Sequence, residues 1–481
     1  MKNDLISRLQ PCGQEHLLRF WDDLDSQEQP RLAEQIRNID FAQIANLYQH
    51  REHVFDLAPF EQRAKDPPAY KFGPLSDGIG AADYSAPVKV EKDEAIRLGQ
   101  KTLADGTCAV MVVAGGQGTR LGFPHPKGMY PIGPVSGATL FQIHIEKVVA
   151  LSQKYGVGIP LCVMTSPATH DETIAFLDEN DWFGIAKEDR FLFCQGTMPA
   201  VDRLTGKVLL ETKQSIAISP DGHGGMLAAI NRPQNGDNSS VLQRLGERGI
   251  QNLFYFQVDN PFIDICSPEF LGYHTASGSE MTSQVVRKQN PLDRVGNVVE
   301  LDGKLHVIEY SDIPESLANR RFPDGTLQIW AGSIAVHIFK LDFLNRISSI
   351  ATSLPFHIAK KKVPFITDNG QVVSPKEPNA IKFERFIFDL MPSAQNAVVV
   401  EVDIPENYGP LKNAPGSESD CPETVKAQLS EKYCRWLTQA GVKVASGVTV
   451  EISPLYANSP EELKTKIASG ITINESVYLE R

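Results

Sequence analysis

The residues with the clearest capacity for chemistry lie in one stretch, Val110-Met-Val-Val-Ala-Gly-Gly-Gln-Gly-Thr-Arg-Leu-Gly-Phe-Pro-His-Pro-Lys-Gly-Met-Tyr130. Gly115, Gly116 and Gly118 place three glycines in four positions. Such a loop lets the backbone approach a ligand closely and aim its N–H groups at it. Arg120 and Lys127 follow. N–H donors for oxygens, with two cations for charge that builds up during reaction, suit a polyphosphate. Two better-known phosphate loops do not fit. The P-loop ends in Gly-Lys-Ser/Thr, which is absent here. Gly116, Gly118 and Gly122 are spaced Gly-x-Gly-x-x-x-Gly, one residue too long for the dinucleotide fingerprint.

Four more places carry suitable side chains. Gln195-Gly196 follows the apolar run Phe191–Cys194, and its amide offers the donor and acceptor that a pyrimidine edge needs. Pro220-Asp-Gly-His-Gly-Gly225 is a second glycine turn, opening onto the helix expected at 226–230; a helix N-terminus there could face an anion or a base. Asp259 ends the strongly apolar Leu253–Val258. A carboxylate at such a tip is costly without a partner, and a Mg²⁺ ion bridging phosphates would be one. Lys412 stands in Gly409-Pro-Leu-Lys-Asn-Ala414.

The elements that must position these residues alternate in type. Cys108 to Ala114 reads as a buried parallel strand, and Thr139–Tyr155 as a helix. Strands are expected at 159–164, 191–194 and 253–258, and helices at 91–104 and 241–247. Thr169-His-Asp-Glu172 reads as a capping box opening a helix over 173–180. This alternation predicts an α/β fold with a doubly wound sheet, its ligands at the carboxyl ends of the strands. From 281 onward the period changes: 281–288, 295–301 and 305–310 read as strands, with Asp302-Gly303 as a hairpin turn. They suggest an antiparallel sheet appended to the core. Phe383, Phe386 and Leu390 fall on one helical face. Residues 1–55 read as short helices, 56–90 as a surface linker, and the tail from 415 as a helix (424–440), a strand (448–452) and a second helix from 461. The expected division is a helical N-terminal extension with linker (1–90), a catalytic domain (91–414) and a small C-terminal subdomain (415–481).

Composition bounds the function. The chain has 481 residues, 42% of them hydrophobic and 22% charged, as expected of a globular protein. A net charge of −12 argues against a general nucleic-acid or membrane binder. The seven cysteines show no Cys-x-x-Cys spacing and read as buried, reduced thiols. The first residues lack an apolar signal core and no apolar run reaches membrane-spanning length, so a cytoplasmic protein is expected.

Gly-Gly-x-Gly-Thr-Arg-Leu followed by Pro-Lys resembles the signature of nucleotide-sugar pyrophosphorylases. The form Ala-Gly-Gly-Gln-Gly-Thr-Arg-Leu-Gly…Pro-Lys-Gly-Met-Tyr is most similar to the UDP-N-acetylhexosamine and UDP-sugar pyrophosphorylases. The resemblance extends over about 105–415 through Gln195-Gly-Thr-Met-Pro199, Pro220–Gly225, Glu309-Tyr-Ser-Asp312 and Pro410-Leu-Lys-Asn413. It implies a mixed-sheet nucleotidyltransferase core, Rossmann-like and GT-A-like, acting on UTP and a sugar 1-phosphate with Mg²⁺. It implies Arg120, Lys127 and Lys412 as catalytic residues. Ala114, Gly115, Gly116, Gln195, Gly222, Asp259 and Lys382 would hold the nucleotide, Asp259 also the metal. His223, Gly296, Glu309 and Tyr310 would hold the sugar. Trp330-Ala-Gly-Ser333 stands where the acetylhexosamine enzymes typically read Asn-x-Gly-Asn, and His223 where Asn is common. The Lys-Gly-Met-Tyr form favours N-acetylglucosamine 1-phosphate as the sugar, and these departures keep glucose or galactose 1-phosphate, or a broad range, as the alternative. Two rival classes are a glycosyltransferase, for which Asp259-Asn-Pro261 lacks the second carboxylate of Asp-x-Asp, and a sugar-nucleotide sensor. Oligomeric state is not legible.

Overall fold

A computed structural model describes residues 1–51, 61–71, 88–233, 236–348 and 354–480. The chain forms two compact units: Pro59–Cys194, Ala229–Ile350 and Leu390–Arg481 build the larger, and Met1–Ala58, Gln195–Ala228 and Ala351–Asp389 the smaller.

The larger unit is organised on a ten-stranded sheet. Its strands are β1 (Ala69–Tyr70), β2 (Cys108–Val113), β3 (Leu161–Thr165), β4 (Arg190–Cys194), β5 (Asn252–Gln257), β6 (Met281–Arg287), β7 (Gly296–Leu301), β8 (Lys304–Ile308), β9 (Ala331–Lys340) and β10 (Ala397–Glu401). They are ordered β1-β10-β6-β9-β5-β2-β3-β4, with β7 on β9 and β8 on β7. β5, β2, β3 and β4 run parallel, while β9 is antiparallel to both β5 and β6. This is the doubly wound mixed α/β class expected. Cys108 to Val112 are buried, as a central parallel strand covered on both faces must be. The Asp302-Gly303 turn forms with positive φ at both residues (52° and 78°), the two-residue hairpin geometry that matches strand twist.

The helices include α1 (Lys92–Ala104), α2 (Leu140–Tyr155), α3 (His170–Glu179), α4 (Val241–Glu247), α5 (Pro268–Ala276) and α6 (Pro422–Gln439). Thr139 caps α2, its side chain accepting from the Gln142 N–H at 3.1 Å. α1 and α5 touch backbone to backbone: a Cβ on Gly99 would stand 1.8 Å from the Pro268 carbonyl oxygen, and one on Gly272 1.7 Å from that of Ala95. Val425, Leu429, Trp436, Val450 and Ile452 of the C-terminal region join the same hydrophobic core as the sheet. In the smaller unit Leu5, Leu9, Leu32, Ile36 and Ile44 of the N-terminal helices pack with Val201, Leu210, Ile381 and Phe383.

Five local expectations are corrected. Helix α3 begins at His170, and the Thr169 hydroxyl caps nothing in it; that oxygen accepts instead from the Ser166 N–H at 3.1 Å. The strands from 281 onward are not a separate sheet, because β9 joins β6 and β7 to β5. Phe383 lies on a strand, Ala380–Glu384, which pairs with His357–Lys361. Of the linker placed at 56–90, residues 56–60 and 72–87 lie outside the described residues; within the remainder, Ala69–Tyr70 pairs with β10. All seven cysteines are free thiols, but only Cys108, Cys162, Cys266 and Cys421 are buried as expected; Cys12 is exposed, and Cys194 and Cys434 are half-buried.

Candidate active site

The glycine loop leaves β2 at Ala114, whose N–H donates to the Met164 carbonyl at 2.8 Å. The Ser166 hydroxyl donates to the Gly115 carbonyl at 2.7 Å. The loop then folds back on itself: the N–H groups of Gly118, Phe123 and Lys127 donate to the carbonyls of His125, Gly118 and Gly116 at 2.9, 3.1 and 3.0 Å. The carbonyls of Gly116, Gly118 and His125 are thus occupied within the loop, whereas the N–H groups of Gly115, Gly116 and Gln117 meet no acceptor among the described residues. Gly128 seats the following turn against α2, where a Cβ would come within 2.2 Å of the Phe141 ring.

Three charged side chains converge where β2 and β5 end. Lys127 Nζ lies 3.6 Å from Asp259 Oδ2, with side-chain exposures of 18% and 14%. The Asp259 carbonyl accepts from the Leu411 N–H at 2.8 Å, and the Lys412 and Asn413 N–H groups both donate to the Asp420 carbonyl, at 2.8 and 2.9 Å. Burial works against the charge on Lys412, but Asp259, Tyr408 and Asp420 outweigh it and raise the ammonium pKa. Lys412 therefore stays protonated although largely enclosed. Asn260 locks the two chain segments together: its Nδ2 donates to the Asn407 carbonyl at 2.8 Å, and its Oδ1 accepts from the Phe262 and Gly409 N–H groups, each at 3.2 Å. Arg120 is not part of this cluster. It is exposed on the turn Thr119–Leu121.

Of the residues expected to hold a sugar, Gly296 faces Ser333 across the β7–β9 pair. A Cβ on Gly296 would lie 2.6 Å from Val307 Cγ1 and 3.7 Å from both Glu309 Oε2 and Ser333 Cβ. Gly296, Glu309 and Ser333 are therefore neighbours, while Tyr310 is 44% exposed. Trp330 is a core residue, buried under the Arg287 guanidinium, 4.6 Å from its ring centre. Arg287 is in turn held by both oxygens of Glu401, at 2.9 and 3.1 Å.

The remaining expected residues belong to the smaller unit. Gln195 is buried, and its Nε2 donates to Asp221 Oδ1 and to the Gly222 carbonyl, both at 3.4 Å. Gly222 has φ +86°, and a Cβ there would stand 2.3 Å from the Arg385 carbonyl oxygen. The Arg385 N–H donates to the Asp221 carbonyl at 2.8 Å and the Gly224 N–H to the Arg385 carbonyl at 2.8 Å. The His223 ring stacks on Phe386, centroids 5.2 Å apart, and its Nδ1 accepts from the Ile387 N–H at 3.1 Å. Burial, then the nearby His357, pushes it down to about 4, so it is a neutral, packed imidazole. Lys382 is half-buried on its strand, and burial lowers its pKa against the pull of Glu384.

Sequence reasoning missed Asp420, Asp221 and the clamp role of Asn260. Asp420 stands just before the expected helix at 424–440, and nothing in its neighbours signals that its carbonyl anchors Lys412. Among the described residues no group of three or more His, Cys, Asp or Glu could hold a metal ion. No described helix is long and apolar enough to cross a membrane.

A family model described as UTP–glucose-1-phosphate uridylyltransferase matches residues 86–427. UDP-N-acetylglucosamine pyrophosphorylase of Saccharomyces cerevisiae is 36% identical over 465 residues, covering 94% of each chain. UDP-N-acetylhexosamine pyrophosphorylase-like protein 1 of Xenopus tropicalis is 35% identical, over 90% of this chain and 84% of its own. The crystal structure of the uridine diphosphate N-acetylglucosamine pyrophosphorylase from Trypanosoma brucei, in complex with inhibitor, matches with a TM-score of 0.79 at 27% identity, over 96% of this chain and 94% of that one.

Proposed function

Because the chain belongs to the UTP–glucose-1-phosphate uridylyltransferase family, we propose that this nucleotidyltransferase joins UTP to N-acetylglucosamine 1-phosphate, giving UDP-N-acetylglucosamine and diphosphate. The observation that carries the reading is the Lys127–Asp259 pair beside the glycine loop, with a protonated Lys412 enclosed by the same carboxylate. A sugar phosphate oxygen attacks the α-phosphorus of UTP. The bond from that phosphorus to the bridging oxygen breaks, and diphosphate leaves. The nucleophile arrives ionised, so no protein base is needed, and catalysis is positioning and charge stabilisation.

In this reading the free N–H groups of Gly115 and Gly116 and the side chains of Arg120 and Lys127 take the triphosphate. Lys412 neutralises the incoming phosphate. Gln195 and Gly222 contact the uracil, and Lys382 the nucleotide. Gly296 and Glu309 hold the sugar, with His223 and Tyr310 at its margin. Residues 91–414 would carry the chemistry. A single carboxylate, Asp259, fits Mg²⁺, which is commonly held by one or two carboxylates and substrate phosphates rather than by an all-protein cage. Bound there, the ion would neutralise charge on the phosphates.

The N-acetyl sugar is supported by the relatives' names. Ser333 beside Gly296 favours the second reading, glucose or galactose 1-phosphate, since it supplies a hydroxyl in place of an amide. Purified protein incubated with UTP, Mg²⁺ and each sugar 1-phosphate separately decides between them through diphosphate release. Release with N-acetylglucosamine 1-phosphate alone is expected. Release only with glucose or galactose 1-phosphate would overturn the sugar, and none with any sugar despite UTP binding would leave a sensor.

A further inference from the structure

The segments that carry Asp259 and Lys412 are gripped from behind by one face of α6. Lys432 Nζ donates to the Phe262 carbonyl at 3.2 Å and to the Glu406 carbonyl at 2.6 Å. Three and four residues further on, Arg435 and Trp436 lie on the same face and hold the Glu406 carboxylate, through Arg435 Nε and Trp436 Nε1, each at 2.9 Å. Phe262 comes three positions after Asp259, and Glu406 six before Lys412. A second buried lysine completes the arrangement: Lys147 Nζ donates to the Pro261 and Ile263 carbonyls at 2.6 and 2.8 Å.

Two lysine amines in the interior are an expensive way to fill space. Lys432 is 6% and Lys147 7% exposed, and neither makes a hydrogen bond to a carboxylate among the described residues. An apolar side chain would pack there at no desolvation cost. What the ammonium adds is a donor that two carbonyls from distant segments can share. Its stem supports this, with Nζ lying 5.5 Å from the Phe262 ring centre and 5.3 Å from that of Trp436.

We propose that Lys432 is a positioning residue for the transferase reaction: by bonding the carbonyls of Phe262 and Glu406 together, it fixes where the Asp259 carboxylate stands relative to the Lys412 ammonium. The proposal rests on the roles read above for Asp259 and Lys412. It also gives the C-terminal helix a part in catalysis, because α6 supplies the brace. Asn260 braces the same two segments from the other side, through the Asn407 carbonyl and the Gly409 N–H.

The test is a double-mutant cycle on the full chain, with diphosphate release normalised to folded protein. Lys432→Met keeps the stem and removes the donor. It is expected to lower kcat about 10- to 100-fold while KM for UTP changes little, the size of loss that misplacing a catalytic group causes. In a Lys412→Ala background the same substitution is expected to cost almost nothing further, since the group being positioned is gone. A merely structural role would instead give equal losses in both backgrounds, and that result, or unchanged kcat in Lys432→Met, overturns the proposal. If Lys432→Met does not fold, Asn260→Ser takes its place in the cycle with the same expectation, and additivity there overturns the brace equally. Lys412→Ala alone separates the two failures: full activity in it refutes the reading of the site, whereas a large loss beside an active Lys432→Met refutes only the brace.

Discussion

Lys127 and Lys412 answer to the same carboxylate but sit in different surroundings, and their substitution should differ accordingly. Lys127 keeps some solvent contact and bonds no backbone group through its side chain, so Lys127→Ala should leave the thermal unfolding curve close to wild type. Its rate of diphosphate release should fall about 100- to 1000-fold, as when a transition-state donor is lost. Near-normal turnover would remove Lys127 from the chemistry. Gly222→Ala should do the reverse in part. With φ at +86° and the Arg385 carbonyl 2.3 Å from a would-be Cβ, it should cost roughly 1–3 kcal/mol in a urea titration and raise KM for UTP. An unchanged urea midpoint would show that the turn relaxes. These positions were legible because a loop that must approach a ligand needs glycine at fixed places, and a cation near it is conspicuous. Asp420 and Lys432 were not, since an ordinary acidic residue and an ordinary helical lysine gain their roles only when segments far apart in sequence meet.

At the scale of elements, the central strands could be read because each is a short apolar run bounded by glycine or a turn. The misreadings arose where two local solutions compete for one group. Thr169 matched a capping box, yet its hydroxyl serves the turn before the helix, accepting from Ser166. Phe383 matched a helical period with Phe386, yet pairing of Ala380–Glu384 with His357–Lys361 decides for a strand at Phe383, which no periodicity over a few residues can foresee. The crossing of α1 and α5 gives a prediction of its own. Gly99→Ala or Gly272→Ala would drive a methyl group into a backbone carbonyl, and overpacking of this kind typically costs about 1–3 kcal/mol. Thermal unfolding should show the loss while kcat of the folded fraction is retained, because neither glycine is near Asp259 in sequence or in the hydrogen-bonded site. A kcat loss at unchanged stability would contradict this account.

For the molecule as a whole, mild acid should be a stress. Burial pushes His144 and His274 down to about 3, and His223 to about 4, from an ordinary value of 6.5. Between those values the unfolded chain binds protons that the folded one refuses, so stability falls as pH drops through 6.5. At pH 5 each imidazole should cost about 2 kcal/mol relative to neutral pH. Glu146 and Asp264, whose carboxyls burial raises, act oppositely and recover part of the loss. Urea midpoints at pH 7 and pH 5 measure the balance, and a higher midpoint at pH 5 would refute it. Of these histidines only His223 stood out in the sequence, and for its motif rather than its burial, because desolvation is a property of the finished core.

The C-terminal region also reaches back to the loop before α2. The Glu451 carboxylate accepts from the Val135 and Ser136 N–H groups at 2.7 and 2.6 Å and from the Ser136 hydroxyl at 2.6 Å, on a strand completed by Val477–Leu479. Lys432 and Glu451 thus come later in the chain than everything they hold. During synthesis, a ribosome that has joined the glycine loop, Asp259 and Lys412 has made the groups proposed above to meet the phosphates but none of the groups that fasten these segments from the C-terminal side. The nascent protein acquires its C-terminal fastenings last.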